Sequence, residues 1–230
     1  MLPLRDNVPT RHFPLVTLLL VAVNVAVWIF YQLPDLEGST LELAYQPCEV
    51  TNTCPPGTAT GENWPVTAVT SMFMHGSWLH LIGNMLFLWV FGNNVEDAMG
   101  KIRYLLFYFG AGLTATALQT IVTLSTSSGV DTAIPNLGAS GAVSGVLGAY
   151  LVLLPTARVL TIVVFFLIEV PAFLFLGFWF LFQLWSGGLS LTEPEAGGGV
   201  AFFAHIGGFA FGLLTVRLFA GGGRPLRPRY

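Results

Sequence analysis

The sequence predicts an all-α membrane protein of six transmembrane helices with both termini in the cytoplasm. Three observations carry this. Of 230 residues, 54% are hydrophobic and only 9% charged, against about 25% charged in an ordinary soluble domain. The apolar residues gather into six continuous runs without the alternation of barrel strands. Finally, every Lys and Arg falls on one side of a six-helix arrangement, as the positive-inside rule requires of the cytoplasmic side. The same numbers exclude disorder for the bulk of the chain. A net charge of −3 gives no footing for nucleic-acid binding.

The runs are, in order, Pro14 to Tyr31, Leu79 to Val95, Tyr104 to Leu124, Ser140 to Leu154, Val159 to Trp185 and Val200 to Leu218. The first follows Arg5 and Arg11, as a signal peptide would. It is read as an uncleaved helix, because Phe30-Tyr31-Gln32 follows it instead of a small-residue cleavage site. The domain plan is therefore a cytoplasmic segment over 1–13, a six-helix domain over 14–218 and a short basic cytoplasmic tail over 219–230.

The charge map supports six rather than five or seven spans. Arg5 and Arg11 precede the first, Lys101 and Arg103 join the second to the third, Arg158 joins the fourth to the fifth, and Arg217, Arg224, Arg227 and Arg229 close the chain. The acids mostly take the other side: Asp35, Glu37, Glu42, Glu49 and Glu62 in the first loop, Asp131 in the third, Glu193 and Glu195 in the fifth. Cys48 and Cys54 also lie in that first outer loop, where a disulfide is permitted. Two free thiols are the alternative.

Polar groups inside a membrane are costly and mark function by default. The set is small: His75, His80 and Asn84 around the second span, Ser140 and Ser144 in the fourth, Glu169 in the fifth and His205 in the sixth. At about 1.5 Å per residue, His80, Ser140 and His205 rise about 24, 22 and 18 Å above the cytoplasmic ends of their helices. Three polar residues from three helices thus share one layer below the outer surface. The fourth run is too short to cross a core of about 30 Å as a helix. The loop-like Pro135-Asn136-Leu137-Gly138-Ala139 precedes it, and such backbone at depth is tolerated when it lines a wet cavity. Ser140 then starts a helix at the floor of a pocket, where free N–H groups and the positive dipole end favour an oxyanion.

Taken singly, these features have ordinary explanations. Gly141 and Gly145, Ser144 and Gly148, and Ala204, Gly208 and Gly212 fit tight helix packing, and a lone His205 fits a satisfied packing histidine. Taken together and in order, His75-Gly-Ser-Trp-Leu-His80-Leu-Ile-Gly-Asn84-Met85, Gly138-Ala-Ser140-Gly and Ala204-His205-Ile-Gly-Gly208-Phe209 resemble the rhomboid family of intramembrane serine proteases. The resemblance covers residues 14–218. It implies Ser140 as nucleophile and His205 as general base, a dyad without a carboxylate. It also implies an oxyanion hole from the side chains of His80 and Asn84 with the Ser140 backbone N–H. A neutral imidazole suits the task of taking the serine proton near pH 7. His80 and Asn84, four apart, face one way from one helix. His75 matches a structural rather than catalytic family histidine.

The sequence departs from the family in two places. Trp64 is followed by Pro65 where many members carry Trp-Arg. Ser144 stands where some bacterial members place an aromatic under the histidine ring, so it is left open whether Ser144 bonds the pair or packs, and what orients His205. The role of Glu169 is also left open. The resemblance further implies a gate formed by the fifth span and the glycine-rich loop Ser186 to Gly199, single-span membrane proteins as substrates, and a small residue before the scissile bond. No cofactor and no metal is expected, since His75 and His80 are five apart and do not align on a helix face. A proton-path transporter is disfavoured by the lack of an internal repeat. A non-proteolytic client-binding relative is the alternative function, set back by the presence of both Ser140 and His205. Short loops favour a prokaryotic plasma membrane.

Overall fold

The computed structural model describes residues 1–58, 63–192 and 200–220. Glu62, Glu193, Glu195, the end of the glycine-rich loop and the tail arginines Arg224, Arg227 and Arg229 lie outside the described residues. The long helices are α1 (Leu15–Val27), continued by a π turn over Trp28–Gln32, then α5 (Trp78–Met99), α6 (Lys101–Thr126), α7 (Ser140–Leu153), α8 (Ala172–Thr192) and α9 (Phe202–Phe219). They correspond to the six apolar runs. Four of them (15–32, 101–126, 172–191 and 202–219) are long and apolar enough to cross a membrane. Between α1 and α5 lie three short helices, α2 (Leu36–Leu43), α3 (Cys48–Thr51) and α4 (Trp64–Thr70). Cys48 and Cys54 are bridged, which closes a small ring in this loop.

The start of the fifth run differs from the sequence expectation. Val159 to Glu169 do not enter a helix. They form an antiparallel hairpin, β2 (Arg158–Val163) and β3 (Phe166–Pro171), and β1 (Leu2–Asp6) pairs with the other edge of β2 in the order β1-β2-β3. The physical reason is in the residues. Val159, Thr161, Ile162, Val163, Val164, Ile168 and Val170 are β-branched and favour a strand. Pro171 then stands immediately before α8, where a missing N–H costs nothing. Glu169 is accordingly not in mid-membrane. It is an exposed strand residue 3.7 Å from the Arg158 guanidinium.

The sheet and the helix ends near it are tied by buried polar contacts. Asp6 accepts hydrogen bonds from Tyr150 Oη at 2.5 Å and Asn94 Nδ2 at 2.6 Å, which joins β1 to α7 and α5. Glu96, near the end of α5, accepts from the backbone N–H groups of Val16 and Thr17 at 3.0 and 2.7 Å and from the Thr17 hydroxyl at 2.8 Å. Helix α1 has no side-chain cap of its own at Pro14, so a carboxylate from another helix meets its positive end. Asp97, next along, binds Arg11 and His12.

At the centre, α7 is buried among α5, α6 and α9. The largest buried side chains include Trp28, Tyr104, Tyr108, Phe91, Phe107, Tyr150 and Phe209. Helices α7 and α9 approach closely enough that their small residues are obligatory. A Cβ on Gly208 would collide with the Gly141 carbonyl oxygen, and one on Gly212 with the Gly145 carbonyl oxygen. This close approach, the helix-packing role read from the small-residue spacing, sets the start of α7 beside the first turn of α9.

Candidate active site

Ser140 is the first residue of α7, so its N–H belongs to the set that has no intrahelical acceptor. The preceding loop is held in place by backbone bonds. Gly138 N–H donates to Ser71 O at 2.9 Å, and Tyr45 and Asn136 exchange both of their backbone bonds at 3.1 and 2.7 Å. His205 lies in the first turn of α9. There the Ala204 N–H donates both to the Ala201 carbonyl at 3.1 Å and to Gln119 Oε1 of α6 at 3.2 Å, the latter a side-chain cap that Ala201 itself cannot supply.

These placements bring Ser140 Oγ to 2.8 Å from His205 Nε2. The other ring nitrogen, Nδ1, lies 2.8 Å from Gln183 Oε1 on α8. An amide oxygen only accepts, so Nδ1 carries the proton. Nε2 then presents a lone pair to the serine hydroxyl, which is the state a general base needs. Trp179, one helical turn before Gln183 on α8, lies with its ring tilted 37° to the imidazole at a centroid distance of 6.0 Å.

His80 and Asn84, on successive turns of α5, line the same cavity as Ser140 and His205. It measures about 800 Å³ and also borders Ser144 and Trp179. Gly76 N–H donates to His80 Nδ1 at 3.4 Å, which leaves Nε2 as the protonated donor. That nitrogen faces Gly138. A Cβ on Gly138 would lie 2.7 Å from His80 Nε2 and 3.6 Å from Ser140 Oγ, and Gly138 adopts φ +123°, a conformation open to glycine. The Asn84 Nδ2 group is buried with no hydrogen-bond partner among the described residues. A donor left idle at a cavity wall is available to a developing oxyanion.

Other polar residues from the sequence take supporting places. The Ser144 hydroxyl donates to the Ser140 carbonyl oxygen at 2.6 Å, so it bonds the helix backbone rather than the His205 ring. His75 is fully buried, edge-on to His80 at 5.1 Å between ring centroids. Its backbone is clamped by Gln32, whose amide accepts the His75 N–H at 2.8 Å and donates to the His75 carbonyl at 2.9 Å. No cluster of three or more His, Cys, Asp or Glu side chains suited to a metal occurs among the described residues.

The family model for the Rhomboid domain matches residues 62–221, which span all of the helices that line this cavity. The chain belongs to the rhomboid family. This rhomboid is 31% identical over 141 residues to the rhomboid-type protein YdcA of Bacillus subtilis, covering 61% of this chain and 63% of that one. It is 28% identical over 201 residues to Rhomboid protein 1, mitochondrial, of Saccharomyces cerevisiae, covering 85% of this chain and 50% of that one. Rhomboid protease GluP of Bacillus subtilis is 40% identical over 93 residues, 40% of this chain and 16% of that one. The chain thus spans less than two thirds of the length of each of these relatives. Family membership and the apolar helices make this rhomboid a multi-pass integral membrane protein.

Gln183, Gln119 and the close approach at Gly138 escaped the sequence reading. The signal for Gln183 was present, since it is the only amide in the otherwise apolar stretch 172–185. Nothing in the sequence singles out Gln119.

Proposed function

We propose that residues 14–218 form an intramembrane serine endopeptidase that cleaves single-span membrane proteins near the outer face of the membrane. The observation that carries this is the 2.8 Å contact between Ser140 Oγ and His205 Nε2, made at a helix N-terminus inside a cavity of about 800 Å³.

The geometry supports the following course. His205 Nε2 takes the Ser140 hydroxyl proton as Oγ attacks the scissile carbonyl carbon. The carbonyl oxygen becomes an oxyanion and accepts bonds from the Ser140 N–H, Asn84 Nδ2–H and His80 Nε2–H. Collapse breaks the C–N bond, and the imidazolium returns its proton to the leaving amine. Water then attacks the acyl-Ser140 ester with His205 again as base, releasing the carboxylate and restoring the hydroxyl. Throughout, Gln183 Oε1 holds the Nδ1–H, and in the charged intermediate its dipole stabilises the imidazolium. Helix α8, with Trp179 and Gln183 on its inner side and Phe178, Leu181, Phe182 and Trp185 exposed on its outer side, is the lateral gate through which a substrate helix reaches the dyad. The positive charges on the terminus-bearing side favour both termini in the cytoplasm of a prokaryote, with the cavity opening towards the outer face.

The test is cleavage of a single-span reporter by purified protein in detergent, beside Ser140→Ala and His205→Ala. Cleavage by the parent alone, unaffected by a chelator, supports the reading. Equal cleavage by Ser140→Ala overturns it. A well-folded parent that cleaves no reporter shifts the weight to a client-binding membrane protein.

A further inference from the structure

The β2–β3 hairpin is not used by the catalytic reading, and its surface is unlike that of a water-facing hairpin. Its strands pair from Arg158↔Pro171 to Val163↔Phe166, leaving the two-residue turn Val164-Phe165. Such turns ordinarily take Asn-Gly or another glycine pair, because they need positive φ. Here Val164 itself adopts φ +58°, a costly conformation for a β-branched residue. The tip is also the most exposed apolar point of the region: Phe165 is 92% exposed and Phe166 71%, with Val164 and Leu167 also well exposed.

Charge is distributed along the hairpin in one direction. Residues 159–168 contain no charged side chain. Arg158 and Glu169 sit together at the root, and the root is bound to the helix ends. Ala172 N–H donates to Ala157 O at 2.7 Å, Phe173 N–H donates to Pro155 O at 3.0 Å, and Arg158 N–H donates to Asn7 Oδ1 at 2.8 Å. A hairpin that projected into water would be expected to reverse this order, apolar at the root and charged at the tip. Apolar side chains gathered at one exposed tip would make an aggregation site if that tip faced water.

The root lies where α7 leaves the bundle and α8 enters it, which fixes it at the membrane boundary on the terminus-bearing face. Just past it, Phe173 and Leu174 begin the exposed apolar surface of α8, so the apolar hairpin surface continues into one that lipid already covers. The geometry points to an interfacial anchor: the β2–β3 hairpin lays the side chains of Val164, Phe165, Phe166 and Leu167 into the acyl region of the leaflet on the terminus-bearing side, while the open β3 edge stays at the boundary where water and headgroups satisfy its backbone groups, with Arg158 and Glu169 at headgroup level. The partner is the lipid surface itself. Aromatic and aliphatic residues on a short, stiff element suit this boundary, where buried apolar area sets the strength of attachment.

The experiment uses the full chain with one nitroxide label at Phe165→Cys, the native cysteines being bridged, in nanodiscs of mixed zwitterionic and anionic phospholipid. Accessibility to oxygen and to a water-soluble nickel chelate is compared with a lipid-facing reference at Leu181→Cys and a water-facing one at Glu37→Cys. The anchor predicts an oxygen-to-nickel ratio at 165 near that of 181 and several-fold above that of 37. A ratio matching 37 places the tip in water and overturns the proposal. Low access to both reagents with spin–spin broadening, relieved by dilution with unlabelled protein, assigns the tip to a second copy and also overturns it. Low access without broadening, a tip folded against the bundle, does the same. Because the side chain at 165 is almost fully exposed, the substitution removes no packing, and none of these outcomes depends on catalytic activity.

Discussion

Gln183 Oε1 lies 2.8 Å from His205 Nδ1, and the two residues stand on different helices, α8 and α9. The ring nitrogen that faces away from Ser140 is therefore held by the helix proposed to move when substrate enters. Removing the acceptor frees the ring to take the other tautomer, in which Nε2 no longer accepts. Gln183→Leu is expected to lower kcat by about 10–100-fold, the range known for losing the partner that orients a metal-bound histidine, with KM little changed. Gln183→Glu keeps an oxygen acceptor and should recover most of the rate at mildly alkaline pH. Steady-state cleavage of the reporter by the three proteins checks this. A loss confined to KM, or a Glu variant no better than Leu, counts against the role.

Asn84 and Ser144 test the division between the proposed oxyanion donors and the polar residues that only line the cavity. The Asn84 Nδ2 donor has no partner among the described residues, whereas the Ser144 hydroxyl is engaged with the Ser140 carbonyl. Asn84→Ala should reduce kcat by about 100–1000-fold, as loss of one oxyanion donor does elsewhere. Ser144→Ala should stay within a few-fold of the parent. A dead Ser144 variant beside an active Ser140→Ala would reverse the assignment.

Gly138 is expected to matter to the proposed catalysis without carrying any functional group. Its positive φ and the His80 ring both exclude a side chain. Gly138→Ala must displace the ring or the backbone that delivers Ser140. Activity should fall at least as far as in His80→Ala, while thermal stability in detergent falls by only a few degrees. An Ala variant of parental activity would show that the ring is free to move aside.

Much of this arrangement was legible in the sequence because membrane physics makes it so. Polar residues are rare in apolar runs, so Ser140, His205, His80 and Asn84 stood out, and helical rise alone put three of them in one layer. The helix α7 was recognisable as short and loop-fed for the same reason. What could not be read depends on relative orientation. Gln183 faces His205 only because α8 packs on α9 through Phe180 and Phe209, stacked at 4.4 Å between centroids, and no local pattern encodes that rotation. The hairpin was missed because a run of apolar residues is compatible with either a helix or a buried strand. The β-branched bias over 159–170 and the position of Pro171 were the available discriminators. Glu169, which drew attention as an apparent charge in mid-membrane, is ordinary once the strand is seen.

Glu96 makes a stability prediction independent of catalysis. Its carboxylate accepts three hydrogen bonds at the N-terminus of α1 and is itself buried. Glu96→Ala leaves two backbone N–H groups and a hydroxyl without that acceptor, at a cost of about 3 kcal/mol. Glu96→Gln retains one oxygen and should lose less. Thermal unfolding in a fixed detergent should rank parent, Gln and Ala in that order, and equal midpoints for parent and Ala would remove the capping role.

Asp6 gives a pH dependence whose sign follows from its surroundings. Burial at the base of the bundle pushes its carboxyl above the ordinary value of 3.8, and the bonds from Tyr150, Val8 and Asn94 oppose this without cancelling it. The folded state therefore holds the Asp6 proton more tightly than the unfolded chain. The resulting stabilisation is complete below pH 3.8 and is lost as pH rises through the higher folded value. Above that value the carboxylate is ionised in both states and the dependence is flat. Asp6→Asn cannot titrate and lacks the slope. Midpoints measured from pH 3.8 upward to neutral pH should show the parent losing stability relative to Asp6→Asn as pH increases. Other carboxylates contribute to both proteins alike, so the difference isolates Asp6. A difference that is constant, or that grows in the parent's favour with pH, would mean that the hydrogen bonds from Tyr150 and Asn94 outweigh burial at this site.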